Sequence, residues 1–103
     1  MSDALLIAAP SVTIDPAIKA LIPPPTEDER QLLEQSLARD GCLDPLVVWE
    51  ETGTLLDGHT RYAICTRLGI PYRTTALPFA TLADAKLWVI QHQLGRRNLS
   101  TID

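Results

Sequence analysis

Apolar and polar positions along the chain fall into short blocks whose period changes, and each block predicts one element. Val12-Thr13-Ile14 alternates as a short strand does, and Asp15-Pro16 after it is a turn signal. Ile22-Pro23-Pro24-Pro25 imposes an extended entry, because each proline fixes its own φ and restricts the residue before it. Leu32, Leu33 and Leu37 then form the apolar side of a helix that Gly41 ends. Thr26 stands as its N-cap with Glu29 three residues on, a capping box, and Glu27 and Asp28 suit its positive end. Leu46-Val47-Val48-Trp49 is a β-branched strand, Glu50 to Gly53 a hairpin turn, and Thr54-Leu55-Leu56 the antiparallel return. Ile64, Cys65 and Leu68 share one face of a second helix, which Gly69 stops with Pro71 beyond. Tyr72 to Leu77 reads as another strand, closed by Pro78-Phe79. Thr81 caps a final helix with Asp84 in the capping position; Ala85, Leu87, Trp88, Ile90 and Leu94 give it a broad apolar surface, with Trp88 assigned to the core, and Gly95 halts it. The pattern predicts an α+β fold: a small mixed sheet of about four strands with three to four helices. Residues 12–103 form one domain behind a flexible segment over 1–11.

Composition narrows the function. At 103 residues the chain supports one domain with a modest core. A net charge of −4 argues against a free-standing nucleic-acid binder, which would carry a basic face. That charge is divided unevenly. Residues 1–57 hold three basic and eleven acidic side chains, whereas residues 58–103 hold six basic and two acidic. The asymmetry favours a local anion site in the later half over a general DNA surface. Cys42 and Cys65 show neither close pairing nor metal spacing and read as reduced structural thiols. The Leu5-Leu6-Ile7-Ala8-Ala9 run is too short for a membrane span and lacks the basic residues of a secretory leader, which points to the cytoplasm.

The candidate chemistry lies where the Leu55-Leu56 strand hands over to the second helix, through Asp57-Gly58-His59-Thr60-Arg61. Glycine at such a junction permits a tight turn and the close approach of a ligand. The helix start offers free N–H donors and a positive dipole end, and Arg61 adds a cation in the first turn. Together they make an anion seat, most naturally for phosphate. The plainer reading, in which Gly58 only turns the chain and Arg61 is only a solvated charge, has equal weight on these residues alone. For Thr26 and Glu29 capping is favoured over ligand contact. For Glu50 and Glu51 a solvated turn is favoured over a catalytic acid pair, and for His92 a helix-end histidine over a ligand contact.

Asp57-Gly58-His59-Thr60-Arg61-Tyr62 resembles the glycine-to-arginine box of the ParB N-terminal domain superfamily, which also includes sulfiredoxins. Upstream, Leu33 to Gly41 and then Pro45-Leu46-Val47-Val48 is similar to the family's helix, glycine, proline and strand. Downstream, Gln91-His92-Gln93-Leu94-Gly95-Arg96-Arg97-Asn98-Leu99-Ser100 is similar to its second box. The three blocks stand in the family's order and cover nearly all of the chain from about Val12.

The resemblance implies a domain that binds the triphosphate of CTP, or of ATP. Gly58 and Arg61 match the first box, with His59 and Thr60 between them; Arg96 and Leu99 match the second, with Arg97 beside them. Thr26, Glu29, His92 and Gln93 would line the rest of the nucleotide pocket. In the family the second box also helps hold magnesium, but His92 and Gln93 stand where an acidic-Asn pair would, which removes the hard oxygen ligand that magnesium prefers. Sulfiredoxin chemistry needs a cysteine where His59 stands and is excluded. The family's DNA reader follows the second box, so DNA would be read by a domain outside this chain, in the service of plasmid, phage or chromosome maintenance. Two alternatives stand beside this reading. One is a phosphotransferase or nuclease with Asp57 as its catalytic carboxylate, for which a single acidic residue at the seat is thin support. The other is a module that dimerises through its last helix without nucleotide.

Overall fold

A computed structural model describes residues 12–102, with side chains described as far as Gly95. The flexible segment expected over 1–11 therefore lies outside the described residues, as do the side chains of Arg96, Arg97 and Leu99. The elements run α1 (Pro16–Lys19), α2 (Glu27–Asp40), β1 (Leu46–Trp49), β2 (Thr54–Asp57), α3 (His59–Leu68), β3 (Thr74–Leu77) and α4 (Leu82–Ile102). The class is α+β, as the pattern of periods implies. The strand order is β2-β1-β3, with β1 antiparallel to β2 and parallel to β3.

The sheet is smaller than expected. Val12 to Ile14 contributes a single bridge from Thr13 to Thr54 in place of a fourth strand. Two hydrogen bonds hold it: Thr13 N–H to the Gly53 carbonyl at 3.0 Å, and Leu55 N–H to the Thr13 carbonyl at 2.8 Å. The alternation is interrupted at once by Asp15, whose carboxylate accepts from the Ala17 N–H at 2.8 Å and caps α1, with Pro16 in its first turn. The expected turn at Asp15-Pro16 is thus the start of a one-turn helix. α1 drops Ile18 into the core.

Alternation along the strands packs both faces of the sheet. On one side Leu56 meets Ile18 of α1 and Ala85 and Val89 of α4, with Val47, Trp49, Phe79 and Trp88 around them. On the other, Leu46, Val48 and Leu55 pack with Tyr62 of α3 and Tyr72, and α3 is in turn backed by α2 through Leu37, Ile64 and Cys65. Leu32 and Leu68, expected on the inner faces of α2 and α3, are 66% and 41% exposed: Leu32 lies about a third of a turn off the Leu33–Leu37 stripe, whereas Leu68 keeps the Ile64–Cys65 face but is the last residue of α3.

α4 also departs from expectation, continuing through Gly95 to Ile102. Gly95 is not among the glycines with positive φ, so it does not adopt the left-handed conformation that ends a helix. A glycine inside a helix costs about 1 kcal/mol relative to alanine, which weakens the helix without terminating it. Leu87, Ile90 and Leu94 on this helix are 53%, 41% and 51% exposed. Among the described residues no helix is long and apolar enough to cross a membrane.

Candidate anion site at the start of α3

The site begins with an irregularity in the hairpin. Val47 pairs with Asp57 but Val48 with Leu55, so Leu56 is an extra residue on β2. Such a bulge re-aims the residues that follow it. All four residues of β2 are buried, and at its end this places the Asp57 carboxylate, 4% exposed, in the interior. The chain then turns into α3 through Gly58, at φ 101° and ψ 29°, a left-handed conformation that a side chain resists. Space demands glycine as well. A Cβ here would lie 2.6 Å from Leu46 Cδ2 and 3.2 Å from Arg61 Nη2.

The first intrahelical bond of α3 runs from the Tyr62 N–H to the Gly58 carbonyl at 2.8 Å. The N–H groups of His59, Thr60 and Arg61 precede it, and no side chain caps them. These donors and the dipole end are the groups that an anion seat at this position would use.

Arg61 serves it differently from the expectation of a freely reaching cation. Its guanidinium is 15% exposed, with Nη2 3.3 Å from Asp57 Oδ2 and Nη1 donating to the Asp44 carbonyl at 2.9 Å. Asp57 Oδ2 also lies 3.7 Å from His92 Nε2, and the His92 ring stacks on Trp88 with centroids 4.6 Å apart. Cation and carboxylate therefore offset one another behind the seat, and Arg61 acts first as a brace across Gly58. Acting as a catalytic base or a metal ligand would require Asp57 to leave these partners.

Among the described residues His92 Nε2 is a buried nitrogen without a hydrogen-bond partner, and so are both ring nitrogens of His59, which faces the cavities. His59 is half-buried. Burial and then the Lys19 charge hold its pKa below the ordinary histidine value of 6.5, with Asp57 opposing them. A buried imidazole without partners forgoes about 1–3 kcal/mol that a ligand or water could restore.

Two cavities adjoin this residue. One, of about 500 Å³, is lined by Asp57, Gly58, His59, Thr60 and Arg61, by Glu29 and Gln93, and by Leu33 and Ile22 to Pro25. The other, of about 710 Å³, shares His59, Thr60 and the proline wall, and adds Pro16, Lys19, Ala20, Arg30 and Ala63. The fold therefore gathers seven of the expected site residues around one space. Thr26 and His92 are not among them. Thr26 is spent in the capping box, its hydroxyl accepting from the Glu29 N–H at 3.1 Å while Glu29 Oε1 accepts from the Thr26 N–H at 2.8 Å. His92 lies behind the site against Asp57 and Trp88. Among the described residues no three His, Cys, Asp or Glu side chains gather as a metal-binding group.

Sequence reasoning missed the three prolines as a cavity wall, although their position before α2 was a signal for it. It also missed the Asp44 carbonyl, a backbone acceptor 17 residues from Arg61 for which no motif exists. No family model, no curated protein and no solved structure matches the chain.

Proposed function

We propose that the chain is a nucleotide-binding domain of the ParB type, which takes the triphosphate of CTP or ATP at the start of α3 and thereby regulates DNA binding or partition through a domain outside this chain. The observation that carries the reading is the pairing of two unlike cavities across His59 and Thr60. The smaller presents uncapped helix donors and Gly58, which suits phosphate oxygens. The larger is walled mainly by proline, alanine and isoleucine, which suits a base and its sugar. Lys19 and Arg30 stand at the larger cavity, though Arg30 is shared with Glu27 and Glu34. The order of the three sequence blocks supports the same reading. Magnesium, if used, would be held chiefly by the phosphates, with Glu29 the nearest exposed carboxylate.

Calorimetric titration with CTP, ATP and inorganic triphosphate, with and without magnesium, tests this. Binding of a nucleoside triphosphate with affinity lowered about tenfold in His59→Ala is expected, from loss of one hydrogen bond. Failure of every nucleotide to bind the folded chain contradicts the reading. A second reading, dimerisation through α4, is favoured by the exposed Leu87, Ile90 and Leu94, which share one side of the helix. Concentration-dependent sedimentation indifferent to nucleotide would favour it.

A further inference from the structure

We propose that Cys42 and Cys65 form a reversible disulfide, closed by a peroxide and reopened by a dithiol. The inference is independent of the nucleotide reading. Sequence spacing suggested two unrelated thiols, but the fold brings them together. Cys65 lies on α3 inside the cluster with Leu37 and Ile64, and Cys42, in the loop after α2, packs against that same cluster. Cys42 is close enough to add to the perturbation of the Cys65 thiol, which makes the two side chains neighbours within that cluster. Both are free thiols, Cys42 half-buried and Cys65 only 1% exposed.

The loop that carries Cys42 is held in place against α3. Arg61 Nη1 donates to the Asp44 carbonyl at 2.9 Å, Arg73 donates to the Leu43 carbonyl, and Cys42 Sγ itself donates to the Asp44 carbonyl at 3.4 Å. Two thiols held as neighbours in one cluster react as though at very high concentration. They differ in accessibility, which sets the order of events. Burial, with the neighbouring Cys42 adding to it, pushes the Cys65 thiol up to about 11, while the Arg61 charge acts the other way. Cys42 is thus the thiol that meets the oxidant.

The Cys42 thiolate attacks one peroxide oxygen, the O–O bond breaks, and hydroxide leaves to give the sulfenic acid. Cys65 then attacks the Cys42 sulfur as its proton passes to water; the S–O bond breaks, a second water is released, and the S–S bond forms. Two thiols and one hydrogen peroxide become one disulfide and two waters. A dithiol reverses the change by exchange, taking the two electrons back into the cysteines. The closed link would tie the end of α2 to the middle of α3, across the loop that braces Arg61.

Treatment of the whole chain with hydrogen peroxide, followed by intact mass, non-reducing peptide mapping and thermal unfolding, tests this. The expected result is a monomer that has lost two hydrogens, a Cys42–Cys65 linked peptide, and recovery of both thiols with dithiothreitol. The link encloses roughly 24 residues, so the oxidised chain should melt roughly 10–20 °C higher. Cys42→Ser, an isosteric change at a half-buried position, should abolish both the link and the shift. Cys65 recovered as a free thiol while Cys42 advances to the sulfinic acid overturns the proposal. So do links found only between chains.

Discussion

Helices α2 and α3 both begin beside the smaller cavity, and they treat their first turns in opposite ways. α2 closes on itself: Thr26 and Glu29 exchange hydrogen bonds at 3.1 and 2.8 Å, and Glu27 and Asp28 face its positive end. α3 starts from a left-handed glycine, has no acidic residue in its first turn and no side chain capping it. A capped start with its own carboxylates has little left to offer an anion, whereas an uncapped one retains donors and dipole. The contrast separates a structural helix start from a candidate binding site, although both line one space.

The largest effect expected from breaking this arrangement belongs to Gly58→Ala. Left-handed strain and the close approach to Leu46 Cδ2 act together, and urea denaturation should show a loss of about 4 kcal/mol. A loss below about 1 kcal/mol would mean the junction relaxes freely. Asp57→Ala should rank next, at about 3 kcal/mol, because it strands the Arg61 guanidinium and deprives His92 of its carboxylate. A neutral result would show that the pair adds nothing at the back of the site. Thr26→Ala sharpens the comparison from the other side: it should cost about 1 kcal/mol of stability while leaving nucleotide affinity unchanged. The smallest effect is one of pH. The lowered His59 pKa means that the unfolded chain binds the proton more readily, so stability is full above about 6.5 and declines as the pH falls through the lowered folded value. His59→Gln should flatten that decline in thermal melts taken across the range.

Local signals were legible wherever a few neighbouring residues settle the conformation. The Thr26–Glu29 box, the Glu50 to Gly53 turn and the Gly58 junction all stand where their residue types imply. Signals that depend on distant partners were not. The alternation at Val12 to Ile14 is genuine, but pairing length is decided by the neighbouring strand and by Asp15 capping α1. Gly95 reads as a stop only if it turns left-handed, which its own sequence does not dictate. Arg61 reads as a cation for phosphate, yet what holds it is a carbonyl at Asp44 and a carboxylate buried by a bulge at Leu56. The meeting of Cys42 with Cys65 likewise follows from α2 packing on α3, which no spacing encodes.

The central claim is that the open end of α3 receives phosphate. Backbone amide NMR during titration with CTP, ATP and inorganic triphosphate tests it most directly, residue by residue. Large shifts at Gly58, His59 and Thr60, with little change at Glu27 and Asp28, are expected. Absence of shifts at Gly58 to Thr60, or equal movement at both helix starts, would contradict the account.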